Sequence, residues 1–274
     1  MGGWCCRRSG REAWLAAAAV MLFAFLAAPR ARAQPASMAE AVEQAIAAGV
    51  PAGPVRDLAG RWEGRGLPTR AGVAVLAAVT QSAREGLPSL SLLQKATEGL
   101  SKGAPPERIA EVVERRARAL REAQRVLQAG MPDLAGGREA RERALEAVAD
   151  ALFQGAPGAT LQRIVERAAA GRGAEGARWI EAAADSLVSL MSSGLPAGQA
   201  SDLVILRLRE APSPEAVRQL AAEALALRRT GLSPGQAAAR LRRDLEGIDP
   251  RPGLPRPPVS PVPTPIPPIR LPTR

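Results

Sequence analysis

The chain of 274 residues contains no histidine and no tyrosine. It also lacks asparagine, and its two lysines are Lys95 and Lys102. Without histidine there can be no Ser-His-Asp or Cys-His catalysis, no histidine-ligated haem and none of the common zinc sites. The two cysteines, Cys5 and Cys6, precede an apolar run from Trp14 to Ala28. Neither a Gly-x-x-x-x-Gly-Lys-Ser/Thr loop nor a dinucleotide fingerprint occurs, which argues against the usual phosphate-cradling chemistry. The glycine-rich pieces at 136–139 and 171–176 have no strand before them and read as loops between helices. No cofactor or metal site is expected.

Residues 1–33 have the layout of a secretory signal. Arg7, Arg8 and Arg11 make a positive start, the apolar run is fifteen residues long, and Ala31-Arg32-Ala33 supplies small residues for cleavage. That run is short of the roughly 18–20 residues that span a bilayer. The expectation is export to the periplasm or beyond, with a mature chain starting at Gln34 and no transmembrane helix. Removing this segment removes both cysteines, so the mature chain forms no disulfide. Its aromatic residues are then Trp62, Phe153 and Trp179. Packing must come from Ala, Leu, Val and Ile, which suits closely approaching helices better than a sheet.

The net charge of +10 suggests nucleic acid or an anionic surface until it is divided along the chain. Residues 1–33 contribute +4 and residues 250–274 another +4, while the body at 34–249 holds 28 basic and 26 acidic side chains. A body so nearly balanced is an ordinary solvated surface, and nucleic acid is not the expected partner. The tail is distinct in kind: eleven of its twenty-five residues are proline, and Arg251, Arg256, Arg270 and Arg274 are its charges. Such a segment cannot be helical and is expected to be a disordered or extended polyproline II tail.

One phrase recurs through the body. Gly-aliphatic-Pro stands at 49–51, 66–68, 86–88, 103–105, 130–132, 155–157 and 194–196, and Gly-Leu-Ser-Pro at 231–234. Glycine reaches the left-handed conformation that closes a helix, and proline presets φ where the next begins. The phrase therefore predicts a helix–corner–helix. Gly49 to Gly86, Gly66 to Gly103 and Gly194 to Gly231 are each 37 residues, and Gly155 to Gly194 is 39. That period predicts an all-α body of about ten or eleven helices arranged as an imperfect helical-hairpin repeat, solenoid-like or an irregular bundle. Within it, Ile109, Val113, Leu120 and Leu127 form one helical stripe. Glu111 and Arg115 are placed for an i,i+4 pair on the other face. Residues 203–208, Leu-Val-Ile-Leu-Arg-Leu, lie between corner signals and read as a buried helix.

The stretch GLPSLSLLQKATEGLSKGAPPERIAEVVERRARALREAQRVL at 86–127 resembles a segment of uncharacterised exported helical proteins of high-GC bacteria. The resemblance covers about a sixth of the chain. It implies helical architecture and a cell-envelope location, and it carries no activity.

Candidate binding residues follow from spacing. Lys95, Glu98 and Lys102 at i, i+3 and i+7 share one helix face, a small charged site for a partner or a solvated surface. Arg251, Arg256, Arg270 and Arg274 make the tail a candidate strip for an anionic polymer or lipid. Glu139, Glu142 and Glu146 also share a face, but they alternate with Arg138, Arg141 and Arg143 and read as a surface ion-pair network without the burial that acid–base work needs. The expected function is therefore a non-catalytic envelope scaffold, adaptor or assembly factor that binds a protein through its hairpins. The alternative is an envelope structural protein that holds cell-wall polymer, lipopolysaccharide or anionic lipid through its tail. A carboxylate-dependent hydrolase is a third reading, and no enzyme is expected.

Overall fold

The computed structural model describes residues 35, 37–131 and 137–247. The expected signal segment 1–33 and the tail from 250, with Arg251, Arg256, Arg270 and Arg274, lie outside the described residues. Among the described residues there are eleven α-helices and no strand. They are α1 (Met38–Ala47), α2 (Ala52–Gly64), α3 (Thr69–Arg84), α4 (Ser89–Ser101), α5 (Pro106–Gly130), α6 (Arg138–Phe153), α7 (Gly158–Ala169), α8 (Gly176–Ser192), α9 (Ala197–Glu210), α10 (Pro214–Arg229) and α11 (Pro234–Leu245). A short 3₁₀ turn, Gly173–Glu175, precedes α8. The all-α expectation holds, and residues 203–208 lie within α9 as expected.

The corners are built as the recurring phrase predicts. At Gly86, φ is +71°, its N–H donates to Ala83 O at 3.0 Å, and Leu87 N–H donates to Ser82 O at 2.9 Å. This crossed pair is the Schellman closure, and it satisfies two carbonyls that the end of a helix otherwise leaves bare. The same two bonds recur around Gly49, Gly66, Gly103, Gly155 and Gly194. The aliphatic residue turns inward: Val50, Leu87, Ala156 and Leu195 are buried. Proline then takes the N-cap position at Pro51, Pro68, Pro88, Pro157 and Pro196, with φ between −55° and −65°. The four-residue version at 231–234 inserts Ser233 as N-cap. It forms a capping box with Gln236 and moves Pro234 to the first helical position.

Gly-Met-Pro at 130–132 departs from the series. Gly130 ends α5 without a left-handed φ, and Pro132 lies outside the described residues. A Cβ built at Gly130 would meet Val165 Cγ1 at 2.8 Å. Glycine is needed there for the close approach of α7, a role that the phrase alone does not distinguish from a corner.

The helices group into two compact units that divide between Glu114 and Arg115, inside α5. In the first unit α1 packs most extensively on α3, and α2 packs on α4. Trp62 is 1% exposed, and its indole N–H donates to Pro68 O at 3.1 Å across the corner it precedes. Gly72 faces it, where a Cβ would lie 3.0 Å from Trp62 Nε1.

In the second unit the most extensive contact is α6 on α8, followed by α8 on α10, with α7 on α9 and α9 on α11 alongside. The leading pair is also rich in buried alanine: Ala144, Ala147, Ala149 and Ala151 on α6, and Ala177, Ala182, Ala183 and Ala184 on α8. Small side chains let helix axes approach closely, and this replaces the aromatic bulk that the chain lacks. The Ser186 hydroxyl of α8 lies 2.8 Å from both Ala182 O and Val217 O, tying α8 to α10. Arg115 sits over the Phe153 ring at 4.3 Å, and Glu111 pairs with Arg108 rather than forming the i,i+4 pair expected from spacing.

Arginines also join helices two places apart. The guanidinium of Arg65 donates to Leu100 O, that of Arg172 to Leu208 O at 3.0 Å, and that of Arg228 to Ser193 O. Each acceptor lies at the C-terminal end of a helix, where carbonyls have no partner within the helix.

The corner chemistry predicts opposite signs for two alanine substitutions. Gly86→Ala forces a Cβ into the left-handed region and is expected to destabilise by about 1–2 kcal/mol. Gly60→Ala, in α2 with open space above it, is expected to stabilise by roughly 0.5–1 kcal/mol. Urea denaturation of both variants measures the pair.

Candidate functional site

In the first unit the structure brings together the three residues singled out on α4. Lys95 Nζ lies 2.8 Å from Glu98 Oε2, and Lys102 Nζ lies 2.5 Å from Glu98 Oε1. Lys102 is the C-cap of α4, so its ammonium also faces the negative end of the helix. The hydrogen bonds from Lys102 and Lys95, then their charges, lower the Glu98 carboxyl to about 2. The cluster is solvent-facing and satisfies much of its own charge. The four arginines of the tail are not part of any site described here.

The second unit carries two larger charged features on different helices. One is a ladder of carboxylates. Glu142, Glu146 and Asp150 follow one another at i+4 along α6, and Glu181 and Asp185 do so on α8. The α6–α8 packing brings the two rows within range of each other. Arg143 of α6 reaches Glu181 at 3.4 Å, and Arg218 of α10 reaches Glu181 at 3.2 Å and Asp185 at 3.6 Å. Arg116, 8% exposed, donates to Asp150. Arg138 pairs with Glu142 and Arg143 with Glu139, as the sequence pattern predicts.

Glu146 departs from that pattern. Burial raises its carboxyl above the ordinary value, Arg116 opposes the rise, and Asp150 and Glu142 add to it. No hydrogen-bond donor to it occurs among the described residues. Asp185 is likewise raised, first by burial, with Arg218 opposing and Glu181 and Asp150 adding. The expectation that no carboxylate here is buried enough to be perturbed is therefore corrected for Glu146. Sequence carried a signal that went unused. Glu142 to Glu181 and Glu146 to Asp185 are each 39 residues, the distance from Gly155 to Gly194.

The other feature is a groove across α7, α9 and α11. Two adjoining clefts of about 270 and 280 Å³ share Arg242. Leu203, Ile205, Leu206, Ala238 and Ala239 provide an aliphatic lining. Arg163 and Arg209 stand at the side nearer α7, with no ion-pair partner among the described residues. Arg242 is held by Asp202 at 3.1 Å, and Glu246 lines the same cleft. Gly235 in the groove has open space where a Cβ would stand.

Neither feature assembles a nucleophile with a base. Among the described residues no group of three carboxylates, histidines or cysteines is placed to hold a metal ion, and no helix is long and apolar enough to cross a membrane. The arrangement places an acidic surface on one set of helices and a cationic, partly aliphatic groove on another. No protein-family model matches this chain, nor does a curated protein or a solved structure.

Glu98 and Glu146 should respond oppositely to pH. The Glu98 carboxyl is lowered on folding, so its contribution is present above the ordinary value of 4.5 and is lost as pH falls towards about 2. Glu146 is raised, so its contribution falls as pH rises past 4.5, and its charged form opposes folding at neutral pH. Glu98→Gln is expected to flatten the acid limb of the stability curve. Glu146→Gln is expected to raise stability at neutral pH and to leave that limb in place, as read from denaturation midpoints across pH.

Proposed function

We propose that the chain is a non-catalytic interaction protein of the cell envelope, exported through its N-terminal segment, whose helical hairpins form a repeat that binds a protein partner. The supporting observation is the pairing of helices two places apart in both units: α1 with α3 and α2 with α4, then α6 with α8, α8 with α10, α7 with α9 and α9 with α11. Hairpins stacked in this way leave long solvated helix rows, the surface on which helical arrays bind other proteins. The arginine-flanked groove of α7, α9 and α11 has the composition of a protein-binding patch. Its lining is aliphatic, its rim is polar, and guanidinium groups are available for paired hydrogen bonds.

Export is tested by fractionation and N-terminal sequencing of the product, with Gln34 as the expected first residue. Binding is tested by a photo-crosslinking amino acid placed in cells at Leu206 in the groove, and at Gly60 on α2 as a control. One discrete adduct at Leu206, absent at Gly60, is the expected result. It should still form when isolated envelopes are irradiated at about 1 M salt, where the Debye length is about 3 Å, and in a chain ending at Asp249. An adduct that needs residues 250–274 and disappears with salt would instead favour binding of an anionic polymer or lipid by the tail. No adduct at either position would remove support for the groove.

A further inference from the structure

The two charged features of the second unit are complementary to each other, and they lie on helices that alternate along the chain. The ladder on α6 and α8 presents five carboxylates, Glu142, Glu146, Asp150, Glu181 and Asp185, against the guanidinium groups of Arg116, Arg138, Arg143 and Arg218. The groove on α7, α9 and α11 presents Arg163, Arg209 and Arg242 against Asp202 and Glu246. One surface thus carries an excess of negative charge and the other an excess of positive charge.

Both excesses are accessible. Glu142 and Asp185 are about half exposed, with side-chain exposures of 48% and 49%. Arg163 and Arg209 are exposed as well. The ladder is also short of donors, because among the described residues Glu146 has no hydrogen-bond donor and Asp185 has only Arg218, at 3.6 Å. An incoming guanidinium would relieve the mutual repulsion that helps to raise both carboxyls.

We infer that a second copy of this chain is the ligand of the groove: the α6–α8 carboxylate ladder of one copy seats on Arg163 and Arg209 of the next, with Ile205 and Leu206 supplying apolar contact. The ladder and the groove lie on helices that alternate along the chain, and the contact proposed is heterologous, one ladder on one groove, so that each copy retains one free surface of each kind. Such contacts propagate into a ring or an open chain rather than stopping at a two-fold dimer. The tail fits the groove less well, since 250–274 carries four arginines and no acid.

This inference rests on the reading of the groove as a protein-binding patch and names its occupant; a chain that stays monomeric yet still gives an adduct at Leu206 keeps the patch and loses the second copy as its ligand. The inference is tested by sedimentation velocity on the purified chain at about 0.1 M and about 1 M salt, where the screening length falls from roughly 10 to 3 Å. At low salt, species larger than a dimer should grow with concentration, and at high salt they should disperse. Two neutralised variants complete the test: Arg163→Gln/Arg209→Gln, and Glu142→Gln/Asp185→Asn. All four positions are exposed, and circular dichroism checks that each variant folds. Either variant alone should weaken association at least tenfold. An equal mixture should form a dimer and stop, because just one intact ladder and one intact groove then meet. A chain that stays monomeric at low salt overturns the inference. So does a dimer that forms no larger species, association that neither variant weakens, or a mixture that polymerises.

Discussion

A helix that ends on a left-handed glycine has its last carbonyls satisfied before it meets anything else, and the rest of this protein depends on that local closure. Gly49, Gly66, Gly86, Gly103, Gly155 and Gly194 each direct two N–H groups back onto the preceding turn. The next residue is aliphatic and the one after it is proline, so the chain leaves the turn in one direction with the next helix already begun. Corner position then sets helix length, and helix length sets which side chains stand level in successive hairpins. Arg65 reaching Leu100, Arg172 reaching Leu208 and Arg228 reaching Ser193 span 35, 36 and 35 residues. These near-equal offsets are what a corner-defined register produces.

Much of this was legible in the sequence, because the corner chemistry is local. Glycine, an aliphatic residue and proline act on their own backbone within six residues, and no tertiary context is needed to interpret them. The stripe of α5 and the helix at 203–208 were legible for a similar reason, since a helix displays its packing face as a period, though there Leu203, Val204 and Leu208 are buried and Ile205 and Leu206 are not. Lys95, Glu98 and Lys102 converge because all three lie on one helix. Where the outcome depended on a neighbouring helix, local reasoning failed. Gly130 looks like the other corner glycines in sequence, but Val165 of α7 dictates its role. Arg116 reads as one more charge on a solvated face until Asp150 of α6 is beside it. Glu146 required the same knowledge from α5, whose Arg116 opposes the rise that burial imposes.

The shortage of aromatic residues and the presence of the carboxylate ladder are connected. With Trp62, Phe153 and Trp179 as its large rings, the body packs by bringing alanine-lined helices close together, and α6 on α8 is the extreme case. Close axes draw the flanking surface residues together as well. Glu142, Glu146 and Asp150 would sit at comfortable separations from Glu181 and Asp185 across a pair of helices spaced by leucines or phenylalanines. Across an alanine interface they fall within mutual electrostatic range, and Asp150 is felt by both Glu146 and Asp185. The charge pattern is thus a consequence of how the core was filled.

The ladder also bears on what the second unit is for. Ions at a half-exposed surface contribute little to stability, and like charges held close together oppose folding. The four arginines that enter the ladder offset part of this, but Glu146 and Asp185 remain raised. The packing beneath does not require them, since Ala147, Ala149 and Ala182 to Ala184 already fill the interface. Glutamine would fit the same backbone without the repulsion. A surface that opposes folding slightly and is not needed by the core is the kind of feature that recognition retains, because its unfavourable charge in the free protein is relieved on contact. The groove of α7, α9 and α11 obeys the same logic with the opposite sign. Arg163 and Arg209 hold positive charge beside an aliphatic floor with no ion-pair partner among the described residues, so a bound carboxylate would pair there.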